Sequence, residues 1–241
     1  MYFHRATLGP VDLAFTDRFG GVSAVPYDEL NLALESGDAP EALAENHRRV
    51  LADFAPDDAV VDLHQVHGAT VVLAGGAGFS EPPDADGLVA VEPGVTLMVR
   101  AADCVPVLLA DAEAGIVGAA HSGRPGLVAG VVPATVARMR ELGAARITAW
   151  IGPHVCGACY EVPATMQAEV GALVPAAVAT TSWGTPSLDI GAGVRAQLEA
   201  AGVAVQDLSR CTRESADLYS YRRDGDGAGR LAGLIRLRAR G

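Results

Sequence analysis

The sequence predicts an α+β fold: a single domain over residues 1–241, with a mixed β-sheet and flanking helices. Three observations lead there. Short apolar runs of β type recur along the whole chain. Helical patterns interrupt them irregularly, without the steady strand–helix alternation of a doubly wound sheet. Between residues 94 and 120, three apolar runs follow one another with only short breaks, which favours antiparallel or mixed pairing.

Taken in order, VDLAF (residues 11–15) is the first such run. Asp38-Ala39-Pro40-Glu41 then introduces a helix over ALAENHRRVLADF, with Asp38 as predicted N-cap and Glu41 as its partner in a capping box. AVVDL, TVVLA, GLVAV, VTLMV, VPVLLA and GIVGAA follow as strands, the last ending at Ala120. GLVAGVVPATVARMREL (residues 126–142) reads as one helix and RITAWI as a strand. PATMQAEVGAL and GVRAQLEAAG read as helices, and LAGLIRL (residues 231–237) as the last strand. Two loops rich in Gly and Asp, residues 75–87 and 221–230, are too short to separate domains.

Composition narrows the function classes. Half of the residues are hydrophobic and 20% are charged, the balance of a chain with a packed core. A net charge of −11 excludes broad binding to nucleic acid or anionic membranes, which needs a basic surface. A phosphate-bearing substrate must therefore be caught by a local cluster of donors. The N-terminus lacks the apolar segment of a signal peptide. The longest uncharged stretch, residues 170–188, is broken by Pro175, Gly184 and Pro186 and makes a poor membrane span. Four cysteines in 241 residues are no disulfide framework, so the expectation is a cytoplasmic protein.

The chemistry concentrates in His67 of LHQVHG, Cys104 of RAADCVPVLL and His121 of VGAAHSG, each at or near the end of an apolar run. Two imidazoles and a thiolate make a three-ligand Zn2+ set with an open fourth position, the pattern of a catalytic zinc; Cu2+ is the alternative occupant. His121 leads through Ser122-Gly123-Arg124-Pro125-Gly126 toward a helix, a junction suited to anions. Asp103, beside the cysteine, is placed to orient a ligand or carry a proton. In this acidic chain Arg48 of ENHRRV and Arg222 of YSYRRDG are the candidate anion contacts. Cys156 and Cys159 form a lone C-x-x-C, half of a zinc site or a redox pair. Cys211 stands apart in sequence, so a zinc ribbon lacks its second half, and the pair is expected outside the catalytic metal set.

Other readings use the same residues. A cysteine hydrolase would take Cys104 as nucleophile and His121 or His67 as base. A copper-dependent phenol oxidase is a second enzyme reading, although six histidines are too few for a blue-copper site plus a separate copper cluster. A non-catalytic zinc-binding protein is a third.

The segments NLALESGD with ENHRRV, LHQVHGATVV, DADGLVAV, RAADCVPVLLAD, VGAAHSG, IGPHVCGACYEV and CTRESADLYSYRRDGDGAGRLAGLIRL run in order over nearly the whole chain. In these the sequence resembles the laccase-domain, multicopper polyphenol oxidase-like family. That family is also described as zinc-dependent purine nucleoside phosphorylases and includes the peptidoglycan editing factor. The resemblance implies zinc on His67, Cys104 and His121, and purine nucleoside and phosphate as partners. It further implies cleavage of adenosine, inosine, guanosine and methylthioadenosine, together with deamination of adenosine. Two positions depart from the family pattern. Many relatives read His-Ala-Gly-Trp-Arg-Gly where this chain reads His121-Ser122-Gly123-Arg124-Pro125-Gly126, which displaces any anion contact made by that arginine, and His47 stands where an arginine is common.

Overall fold

The computed structural model describes residues 1–34, 36–75 and 79–239. Its strands are β1 (Tyr2–Leu8), β2 (Val11–Thr16), β3 (Ala59–Val61), β4 (Val71–Ala74), β5 (Gly87–Ala90), β6 (Val95–Ala101), β7 (Val105–Asp111), β8 (Ile116–Ser122), β9 (Thr148–Ile151), β10 (Val178–Thr180), β11 (Pro186–Leu188), β12 (Ala204–Asp207) and β13 (Leu231–Leu237). Its α-helices are α1 (Pro40–Phe54), α2 (Arg124–Ala129), α3 (Val131–Glu141), α4 (Ala164–Leu173), α5 (Ile190–Ala200) and α6 (Tyr221–Asp224). The class is α+β, as the sequence predicts, but with two mixed sheets in place of one. A five-stranded sheet runs β1-β2-β13-β6-β3 and a six-stranded sheet runs β12-β9-β7-β8-β5-β4, while β10 and β11 form a separate ribbon. Pairing is antiparallel except for β3 with β6, β4 with β5 and β9 with β12. None of the described helices is long and apolar enough to cross a membrane.

The two large sheets stack face to face, and each carries helices on its outer face. Between the sheets, Leu13, Phe15, Leu97, Val99 and Ile235 meet Leu88, Leu108, Val117 and Trp150. On the far side of the six-stranded sheet, Val107, Leu109 and Ile151 pack on Leu127, Val131, Val136, Val194 and Leu198 of α2, α3 and α5. On the far side of the five-stranded sheet, Met98 and Leu234 pack on Val50 and Phe54 of α1. A strand alternates its side chains between faces, so β6, β7 and β8 are buried on both and must be apolar throughout. That is the physical origin of the unbroken runs VTLMV, VPVLLA and GIVGAA.

Several expectations need correction. The three consecutive runs pair in antiparallel and mixed fashion as expected, but not in one sheet: β7 and β8 form an antiparallel hairpin, and β6 lies in the other sheet, between β13 and β3. The whole crossing between sheets is Ala102-Asp103-Cys104. The helix read over residues 126–142 breaks at Gly130, whose φ of 81° only glycine adopts readily, and becomes α2 and α3. The capping box does not form. Ala39 is the N-cap of α1 without a side-chain cap, Pro40 starts the helix, and Asp38 accepts a hydrogen bond from Asn31 Nδ2 at 3.0 Å. Strands β1, β10 and β12 carry no clear apolar run, because they lie at sheet edges or in a short ribbon with exposed residues, and β11 is only three residues long.

Close contact between the sheets fixes one glycine. A Cβ on Gly152, just after β9, would lie 2.4 Å from Cε1 of Phe15, which is fully enclosed between the layers. Gly152→Ala should therefore destabilise the protein by about 1–3 kcal/mol through overpacking. Urea unfolding measures this, and an unchanged midpoint would show that the interface yields at no cost.

Candidate metal centre and active site

The centre forms at one end of the six-stranded sheet. His121 is the second-last residue of β8, Cys104 ends the crossing into β7, and His67 sits in the loop between β3 and β4. Pairing of β7 with β8 sets Pro106 opposite His121, which brings Cys104 to the histidine's end of the ladder. The His67 loop is held by Gln65, whose amide donates to Arg100 O and accepts from Arg100 N, both at 2.8 Å. One donor atom from each of His67, Cys104 and His121 lies within 4.8 Å of the others, with Cys104 Sγ 3.7 Å from His67 Nε2. The two rings meet edge to face at 4.8 Å between centroids.

Asp86 organises this set, and the sequence reading passed over it. Its carboxylate is fully buried just before β5. Oδ1 lies 2.8 Å from His121 Nδ1, while Oδ2 accepts from Val66 N at 3.2 Å and Gly68 N at 2.6 Å. The first contact fixes the proton on Nδ1 and leaves Nε2 free to ligate. The other two clamp the backbone on either side of His67, which has a φ of 60°, costly for a residue with a side chain. Its only sequence signal was an aspartate directly before a strand in DADG.

Electrostatics follow from the crowding. Burial alone would raise the Cys104 thiol, but the His121 and His67 rings outweigh it and bring it down to about 6. Burial alone would lower His121, but the Cys104 thiolate and Asp86 raise it to about 9. Burial likewise opposes ionisation of Asp86, and hydrogen bonds from His121 and Gly68 N hold it below the ordinary carboxylate range. In the absence of a bound ion, these opposed shifts favour the thiolate on Cys104 and the imidazolium on His121.

The set opens on a cavity of about 970 Å³ whose lining includes Leu34, Leu63, Tyr160, Arg124 and Arg222. The Arg222 guanidinium lies over the Tyr160 ring at 4.7 Å. Among the described residues, neither Arg124 nor Arg222 is ion-paired with a carboxylate, whereas Arg100, also lining the cavity, is paired with Asp62. Arg48, expected here, is elsewhere. It lies exposed on α1, with its Nε 2.7 Å from Glu45, because local charge density does not reveal which way a helix face points. Asp103 does line the cavity, yet both of its oxygens are occupied. Oδ1 accepts from Thr212 Oγ1 at 2.6 Å and Oδ2 from Arg222 N at 2.5 Å, which makes it a positioning residue for Arg222. Arg124, a departure from the family pattern, supplies a cation at the cavity. Cys156 and Cys159 lie in a separate group.

The multi-copper polyphenol oxidoreductase laccase family matches residues 12–238. The chain belongs to this family. A purine nucleoside phosphorylase of Streptomyces coelicolor is 54% identical over 98% of this chain and 100% of its own length. The purine nucleoside phosphorylase YfiH of Escherichia coli is 36% identical over 91% of each chain. Among solved structures, a Neisseria meningitidis protein of the DUF152 family has a TM-score of 0.88 at 32% identity, covering 99% of this chain and 100% of that one.

The residues of this laccase-family chain fit a single metal ion. His67, Cys104 and His121 supply two nitrogens and a sulfur, Asp86 selects the ligating tautomer, and Gly123 leaves the necessary room. A Cβ there would lie 2.6 Å from His67 Cδ2 and 3.0 Å from Cys104 Sγ. Asp86→Asn is expected to weaken zinc affinity about 10–100-fold, measured by chelator competition. Unchanged affinity would remove Asp86 from the centre. In metal-free protein, alkylation of Cys104 should rise with pH about a midpoint near 6, since the thiolate exists above its pKa, and zinc should suppress it. A midpoint in the ordinary thiol range would contradict the pairing with His121.

Proposed function

We propose that this chain is a zinc-dependent purine nucleoside phosphorylase that cleaves adenosine, inosine, guanosine and methylthioadenosine with phosphate. Deamination of adenosine is its second activity. The observation that carries the reading is a three-donor set able to hold a metal ion, opening on a cavity lined by Arg124 and Arg222, neither of them paired with a carboxylate among the described residues. The names of relatives matched over nearly their whole length support it. The reading assigns the protein to the reducing cytoplasm, where Cys104 stays out of disulfides and available to the metal.

Phosphorolysis forms a C1′–O bond to phosphate and breaks the bond from C1′ to the purine, which leaves with a proton. Bound zinc supplies Lewis acidity and lowers the pKa of an oxygen ligand. Arg124 and Arg222 bind the phosphate through charge-assisted hydrogen bonds. Arg222 is preorganised at both ends: Asp103 holds its backbone, Thr212 holds Asp103, and Tyr160 lies against its guanidinium. Burial raises the Tyr160 phenol above its ordinary pKa, so it stays protonated and can donate to phosphate or to a purine nitrogen. Leu34, Leu63, Val155 and Ile190 give the cavity apolar surface for the faces of a purine.

Adenosine turned over with and without phosphate tests the reading, with adenine plus ribose 1-phosphate expected in the first case and inosine from the deaminase activity in the second. Arg222→Ala should raise the KM for phosphate about 10–100-fold, the worth of one charge-assisted hydrogen bond, and leave zinc content unchanged. Deamination needs no phosphate and should suffer less. Equal loss of both activities would make Arg222 a nucleoside-binding or structural residue. A second reading, hydrolysis by a Cys104 nucleophile, is favoured by the thiolate–imidazolium pair. Full activity in zinc-free protein would select it, because a metal-bound thiolate cannot attack.

A further inference from the structure

The fold brings the lone C-x-x-C its missing half. Cys156 and Cys159 stand in the turn region after β9, where the amides of Cys159 and Tyr160 both donate to Cys156 O at 3.0 Å. The Cys211 segment joins them by strand-like pairing: His154 N donates to Arg210 O at 3.2 Å and Thr212 N to His154 O at 3.0 Å, with His154 bridging Cys211. Glu214 follows in the next turn. One donor atom from each of Cys156, Cys159, Cys211 and Glu214 lies within 4.8 Å of all the others, and the three thiols are free.

We propose that Cys156, Cys159, Cys211 and Glu214 form a second metal site, structural in type and filled by zinc. Three sulfurs and one oxygen complete a tetrahedron, which leaves no open position for substrate and sets this site apart from the His67 centre. Thiolates favour zinc over the oxygen-seeking divalent ions magnesium, calcium and manganese. The ligands carry more negative charge than the ion neutralises, and Arg213, which lies against Cys159 and over the Trp183 ring at 5.1 Å, offsets part of the excess.

The position gives the site a purpose. It ties the segment after β9 to the segment before α6, and a chain neighbour of a ligand in each one touches the cavity apparatus. Tyr160, next to Cys159, lies against the Arg222 guanidinium, and Thr212, next to Cys211, holds Asp103 and through it the Arg222 backbone. A bound ion here fixes both supports of Arg222 relative to each other.

The test uses full-length protein kept reduced, loaded with excess Zn2+ and desalted. Two zinc ions per chain are expected, with X-ray absorption giving an average of two sulfurs per zinc at about 2.3 Å. Cys211→Ser should lower the content to one zinc bearing one sulfur, and Cys211→His should restore two ions. Cys104→Ser should retain the sulfur-rich ion. One zinc per chain with a single sulfur in the unaltered protein would overturn the proposal, and so would two ions retained in Cys211→Ser. Recovery of two of these three cysteines as a disulfide from the reduced, zinc-loaded protein would also overturn it. The absorption measurement on unaltered protein decides the matter even if a variant does not fold.

Discussion

The buried Asp86 carboxylate is the contact on which the centre depends. A charge with no exposure to water must be met by hydrogen bonds, and Asp86 meets its need with the His121 ring and the amides flanking His67. The same three contacts do the site's positioning. They set the tautomer of one candidate ligand, hold the other in an unfavourable backbone conformation, and leave a thiolate between them as the favoured partner of the resulting positive charge. Backbone pairing reinforces this, since His121 N donates to Asp86 O at 2.8 Å where β8 meets the start of β5. Remove the carboxylate and the amides of Val66 and Gly68 lose their acceptor while the ring loses its orientation.

The stacked sheets explain why the site lies where it does. Because β6 and β7 belong to different sheets yet are joined by three residues, the chain must turn sharply at the edge between the layers. Asp103 makes that turn with a φ of 88°, and Cys104 follows it. Strain in both His67 and Asp103 is tolerated because each sits within a web of hydrogen bonds that over-determines its conformation. A rigid sandwich thus presents a few loops whose side chains are held in place, the arrangement preorganised chemistry needs.

Much of this was legible in the sequence, and the boundary is instructive. Strands buried on both faces leave continuous apolar runs, so β6, β7 and β8 could be read directly; Cys104 and His121 stood at their ends, and His67 in the loop between β3 and β4. Which sheet each strand joined could not be read, because hydrophobic period reports burial and not partners. Gly130 vanished inside an apolar helical pattern, and edge strands such as β12 left no pattern to find. Asp86 was hidden in a Pro- and Asp-rich loop, where nothing local says which carboxylate turns inward. Arg48 and Arg222 looked alike as basic pairs in an acidic chain, and only the fold sends one to the cavity and the other to the surface. Cys211 reaches Cys156 through the pairing with His154, a contact that motif spacing does not encode.

The central claim is that zinc sits on His67, Cys104 and His121 and that this form of the protein is the active one. Anomalous diffraction at the zinc edge, from crystals of protein that phosphorolyses adenosine and was prepared without added metal, tests it most directly. The account predicts a peak bonded by the two ring nitrogens at about 2.0–2.1 Å and by the sulfur at about 2.3 Å, with Asp86 on the far nitrogen of His121. An active preparation with no zinc signal between these three side chains, or with copper in its place, would contradict it.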